Sequence, residues 1–96
     1  MAKTPEAKVK AKVVAELKAI GAYYFYPVTG GYGAGGIPDI VGCYESKFFG
    51  IECKAGRNKP TALQLFQLEL IDEAGGTALV VNEDNIGAVR LALTGE

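Results

Sequence analysis

The stretch IPDIVGCYESKFFGIECK, residues 37 to 54, constrains the fold more than any other part of the chain. Two apolar runs flank the polar pair Glu45-Ser46, which is the pattern of two strands joined by a short turn. A two-residue turn fixes the pairing, with facing residue numbers that always add up to 91. Tyr44 then faces Lys47, Cys43 faces Phe48, Val41 faces Gly50, and Asp39 faces Glu52. A three-residue turn would slip the register by one and send Asp39 and Glu52 to opposite faces. The two-residue turn instead sets these carboxylates about 5 Å apart at Cβ. Lys54 joins them, because strand residues two apart share a face.

The run FFGIEC reads as a buried strand interrupted by charge. In this register Ile51 and Cys53 point into a core, while Glu52 and Lys54 face outward beside Asp39. Cys43 and Cys53 lie on opposite faces, so no disulfide between them is expected.

The rest of the chain supplies elements to cover this hairpin. TPEAKVKAKVVAELKAIG predicts a helix, with Thr4 as N-cap, Pro5 in the first position and Gly21 as the stop. Val9, Val13, Leu17 and Ile20 recur at helical spacing. Glu6 continues that stripe at its N-terminal end, and Glu16 sits on its flank. AYYFYPV is an aromatic strand that Pro27 ends or confines to an edge. TALQLFQLELIDEAGG predicts a second helix, in which Thr61 and Gln64 have capping-box spacing. TALVVN reads as a short buried strand, and EDNIGAVRLAL as a terminal helix. The order α-β-β-β-α-β-α predicts an α/β fold, a mixed β-sheet flanked by helices, in one domain over residues 1 to 96.

Composition removes several chemistries. The chain has no histidine and two cysteines, so zinc coordination and histidine-based catalysis are not expected. Any metal would be a hard cation held by oxygen, such as magnesium. No run approaches ~18 apolar residues and no signal core precedes a cleavage site, so a membrane span is not expected and a cytoplasmic location is. Net charge is −1, with its signs divided along the chain. Residues 1 to 60 carry nine Lys and Arg against five Asp and Glu, and residues 61 to 96 carry one against six. That division can leave one basic face on a nearly neutral protein. Lys8, Lys10, Lys12, Arg57, Asn58 and Lys59 are the candidates for a surface that contacts a nucleic-acid backbone, and each is otherwise an ordinary solvated side chain.

GYGAGG, residues 31 to 36, matches the dinucleotide-binding spacing G-x-G-x-x-G. Ile37-Pro38 and then a strand follow it, where that fingerprint needs a helix. It also lacks the G-K-[ST] of a phosphate-binding loop. It reads as a connection whose backbone can approach a polyanion, with Tyr32 able to stack on a base or sugar.

Pro38-Asp39, twelve intervening residues, then Glu52-Cys53-Lys54 resembles the PD-(D/E)xK nuclease superfamily. GIPDIVG, FFGIECKAG and KPTALQLFQLELIDEAGGTALVV narrow the resemblance to the VRR-NUC family, in its short stand-alone form, across nearly the whole chain. The resemblance implies a restriction-endonuclease-like core and a magnesium-dependent phosphodiesterase in which manganese substitutes. It implies that Asp39, Glu52 and the Cys53 carbonyl hold the metal and that Lys54 is the catalytic lysine. Gln64 matches the helix glutamine of the family, and its capping spacing explains it equally. Glu6 matches the first-helix acid, and Glu16 is an alternative for that position. The resemblance further implies action on branched DNA such as Holliday junctions, by a homodimer. Two other readings stand beside it: a non-catalytic nucleic-acid-binding module on the same fold, and an α/β dimerisation protein without a nucleic-acid partner.

Overall fold

Thr4 starts the first helix by accepting the Ala7 N–H on its hydroxyl, and Gly21 ends it in the left-handed conformation. The computed structural model describes residues 4 to 28 and 35 to 96, so Tyr32 and most of its glycine loop lie outside the described residues. Helix α1 spans Pro5–Ile20 and strand β1 spans Tyr23–Phe25. The hairpin follows as β2, Ile40–Tyr44, and β3, Lys47–Cys53. Helix α2 covers Ala62–Glu73, β4 covers Thr77–Val81 and α3 covers Gly87–Thr94. The fold class is the expected one: three helices and a four-stranded mixed sheet.

The hairpin register follows the two-residue turn. Ile40 pairs with Ile51, Val41 with Gly50 and Tyr44 with Lys47. Glu45 and Ser46 both have positive φ, 47° and 71°, as a type I′ turn requires. The spatial order is β1-β2-β3-β4, antiparallel except for β3 with β4, where α2 makes the crossover. Both β1 and β4 are therefore edges. The expectation of a buried strand at β4 is corrected: only Val81 is buried there. An edge position with a single helix behind it leaves Val80 exposed.

Register assigns each side chain to a face. Ile40, Phe49, Ile51, Cys53 and Val81 point to the face covered by α1 and α3. They pack against Val9, Val13 and Leu17 of α1 and Val89 and Leu93 of α3 to form the core. Glu16 ties these two helices through Arg90, 3.2 Å away. The opposite face carries Val41, Cys43, Phe48, Gly50 and Glu52, and α2 lies over part of it. Gly50 permits that approach, since a Cβ there would sit 2.5 Å from Ile71 Cδ1 and 3.1 Å from Pro38 Cγ. Gly36 has φ +80°, and a Cβ on it would sit 2.5 Å from the Leu63 backbone. This glycine lets the segment leading to Asp39 lie against the start of α2.

Candidate active site

Asp39 lies one residue before β2, continuing the ladder that pairs Ile40 with Ile51. Its carboxylate is held by a hydrogen bond that the Cys53 backbone N–H donates to Oδ2 at 2.8 Å. This donor was not foreseen from sequence, because any residue at position 53 supplies a backbone N–H. The bond holds Asp39 at the end of β3, beside Glu52.

Glu52 departs from expectation. It does not face outward; it is only 2% exposed, the one buried charged residue among the described residues. On that face Ile71 of α2 and Pro38 close over Gly50, two residues before Glu52. The sequence pattern showed which face Glu52 shares with Asp39 but not what covers it. Oε2 of Glu52 is buried without a hydrogen-bond partner. Burial raises the Glu52 carboxyl to about 8, helped by a hydrogen bond to Asp39 that needs the protonated form and by the charge of Asp39. Lys54 pulls it back down, and Glu6 adds a smaller push upward. The lead-in is likewise only partly buried: Phe48, at the start of FFGIEC, is exposed.

Three of the acids predicted from sequence therefore gather at one end of β3. A recess of about 190 Å³ opens on Asp39 and Glu6, lined by Thr4, Glu6, Ala7, Lys10, Asp39 and Cys53, with Glu52 buried beside it. The first turn of α1 thus faces the carboxylates with its positive end. Glu6 belongs to this group, whereas Glu16 is paired with Arg90 on the flank of α1 and α3. Gln64 serves as a cap: its Oε1 accepts the Thr61 N–H at 2.8 Å, and its own N–H donates to the Thr61 hydroxyl. No hydrogen bond among the described residues joins it to Asp39 or Glu52.

The cations divide. Lys10 lines the acidic recess and lies 4.3 Å from the centroid of the Tyr26 ring, a contact that anchors it there. Lys8 and Lys12 are exposed on α1. Arg57, Asn58 and Lys59 line a second, larger cavity with Lys54.

The donor set suits a hard cation. Among the described residues, no group of three or more carboxylate, thiol or imidazole side chains is placed to hold a metal ion. Asp39 and Glu52 are a pair, so a metal held there would take its remaining oxygens from backbone carbonyls, water or substrate, as magnesium does. Burial pushes the Cys53 thiol up to about 12, with Asp39 and Glu52 adding to it, so its sulfur stays protonated in the core. Oε2 of Glu52, buried without a partner, is an oxygen of the kind a hard cation takes.

A scan of the chain against protein-family models finds no match, and a search of the curated proteins finds none either. Among the described residues, no helix is long and apolar enough to cross a membrane.

Proposed function

We propose that this protein is a magnesium-dependent endonuclease that hydrolyses DNA phosphodiester bonds, with manganese able to replace magnesium. The observation that carries the reading is Glu52: a buried carboxylate with an unpartnered oxygen, against Asp39 and within the field of Lys54. A buried carboxyl oxygen without a partner costs free energy, and carboxyls with values raised by burial cluster at functional sites. The resemblance to PD-(D/E)xK nucleases supplies that function, and the mixed sheet flanked by helices agrees with a restriction-endonuclease-like core.

Asp39 and Glu52 would hold the cation, with the Cys53 carbonyl as the third protein ligand in that resemblance. A bound divalent ion would neutralise charge on the phosphate and lower the pKa of water. Cys53 N–H keeps Asp39 oriented. Lys54 stabilises the negative charge that develops on the phosphate during attack. Glu6, at the mouth of the recess, is placed to accept a proton from incoming water or to bind a further water layer. Lys10 at the recess, and Lys8 and Lys12 exposed on another side of α1, would contact a phosphate backbone and give affinity without base readout.

A substrate recognised by shape, such as a Holliday junction, fits a small domain of this kind acting as a homodimer. The support for two copies is an uncovered apolar face. Tyr23, Phe25 and Phe48 lie on the α2 side of the sheet, beyond the reach of α2, and Phe66 on α2 is also exposed. With roughly 150–250 Å² for each aromatic side chain, these four alone leave on the order of 400 Å² open to water. That approaches the largest patch of a typical monomer and is about half of one side of a standard interface.

The deciding experiment uses Asp39→Ala on a four-way junction. Cleavage with magnesium should be lost by at least about 100-fold, while binding in EDTA stays within a few-fold of wild type. A wild-type protein that binds junctions yet never cleaves them with magnesium or manganese is a binding module, and the nuclease reading then falls.

A further inference from the structure

The larger cavity, about 260 Å³, is not explained by backbone contact alone. It lies between the 56–60 loop, the outer side of α2 and the exposed edge of β4. Lys54 lines it while also acting on Glu52, so the cavity adjoins the acidic pair across a single side chain. We propose that it receives one unstacked nucleotide of a single-stranded nucleic-acid segment, next to the phosphate at Lys54.

Three features point to a nucleotide in place of a bare anion. The first is charge: among the described residues, Lys54, Arg57 and Lys59 line the cavity and no acid does. Glu83, next to Asn82, accepts the Gly56 N–H at 2.8 Å. The second is an apolar wall. Pro60, Leu65 and Val80 line the same space, and Leu65 and Val80 are 52% and 36% exposed. A phosphate gains nothing from them, whereas the flat face of a base does. The third is a pair of amides, Asn58 and Asn82, each able to donate to and accept from a base edge. Asn82 Oδ1 already accepts the Asp84 N–H at 2.8 Å, which leaves its NH₂ group as the donor. The volume, about 260 Å³, is just under the range of ~300–1,000 Å³ for small-molecule sites, so the cavity takes no more than one nucleotide, part of it left in solvent.

Among the described residues the wall is aliphatic, without an aromatic platform. Free nucleotide should therefore bind weakly and with little preference among bases. The position beside Lys54 rests on the nuclease reading of that lysine. Occupancy of the cavity does not.

The test is titration of the ¹⁵N-labelled protein with deoxyadenosine monophosphate in EDTA, followed by amide shifts, with inorganic phosphate as the parallel probe. The expected result is shifts centred on Asn58, Leu65 and Asn82, with the nucleotide binding at least tenfold tighter than phosphate. Leu65→Ala, at an exposed helix position that leaves the spectrum otherwise unchanged, should weaken the nucleotide several-fold and phosphate not at all. Equal affinity for the two probes, or nucleotide shifts confined to α1, overturns the proposal. Because no metal or cleavage enters the titration, its failure leaves the nuclease reading standing. A nuclease that never cleaves would likewise leave this site standing.

Discussion

At the scale of single residues, Glu52 has the largest consequence. Its folded value of about 8 lies above the ordinary carboxyl value of 4.5, because burial and then Asp39 favour the protonated form. The folded state therefore binds a proton more tightly than the unfolded chain. Between those two values the folded state holds more protons, so stability falls as pH rises. Thermal melts in EDTA should show Tm decreasing from pH 5 to pH 8, and Glu52→Gln should remove most of that slope. Magnesium should raise Tm most at the alkaline end, where the carboxylate is ionised and a cation can bind it. A wild-type Tm that rises with pH over this range would contradict the burial of an unpaired Glu52. Gln64 makes a separate residue-scale test. Gln64→Ala should cost about 1 kcal/mol through the lost cap, and cleavage by the remaining folded protein should stay near wild type. A 100-fold loss of kcat without loss of stability would move Gln64 into the catalytic machinery.

At the scale of elements, the hairpin organises the site. Its type I′ turn places two non-glycine residues at positive φ, which costs roughly 1 kcal/mol or more per residue. Replacing Glu45-Ser46 with Asn-Gly should stabilise the protein by about 1 kcal/mol in urea unfolding, with no change in register. The hairpin and its pairing were legible beforehand because strand periodicity and turn length are local properties. The helices were legible for the same reason: Thr4, Gly21 and the Thr61–Gln64 box mark their ends where α1 and α2 begin or stop. The terminal helix was read too long. Asn82 and Asn85 fold the chain before it into a turn, with Asn85 Oδ1 accepting the Asn82 N–H at 2.7 Å. Helix α3 starts only at Gly87. Asparagine side chains compete with helical backbone bonding in this way, and periodicity does not record it.

At the scale of the whole molecule, the sheet is unevenly covered. Two helices cover one face, while the single helix on the other leaves Tyr23 and Phe25 of β1 and Cys43 of β2 exposed. The exposed Leu63, Phe66 and Leu70 border these residues from one flank of α2, with Phe48 on the sheet below. The apolar patch is bordered by the exposed Glu69 and Glu73 of α2 and suits a self-complementary contact about a two-fold axis. Sedimentation equilibrium at micromolar concentration should give a dimer, and Phe48→Glu with Phe66→Glu should give a folded monomer. A wild-type protein that stays monomeric at tens of micromolar would remove the homodimer from the proposal.

The sequence by itself determined the local geometry: which residues pair across the hairpin, which face each occupies, and where the helices are capped. Asp39, Glu52 and Lys54 could be placed together on that basis, since turn length and a period of two suffice. Tertiary structure alone decided three things. It put Glu52 in the interior, on a face that the pattern had left open to water and where Ile71 of α2 and Pro38 close over Gly50. It brought Glu6 to the acidic group and gave Glu16 to Arg90, because the direction of α1 over the sheet depends on core packing among Val9, Val13 and Leu17. It left Tyr23 and Phe25 of β1 and Cys43 of β2 exposed, because a single crossover helix spans only the β3–β4 side. Burial is a sum over distant parts of the chain, and no local pattern contains it.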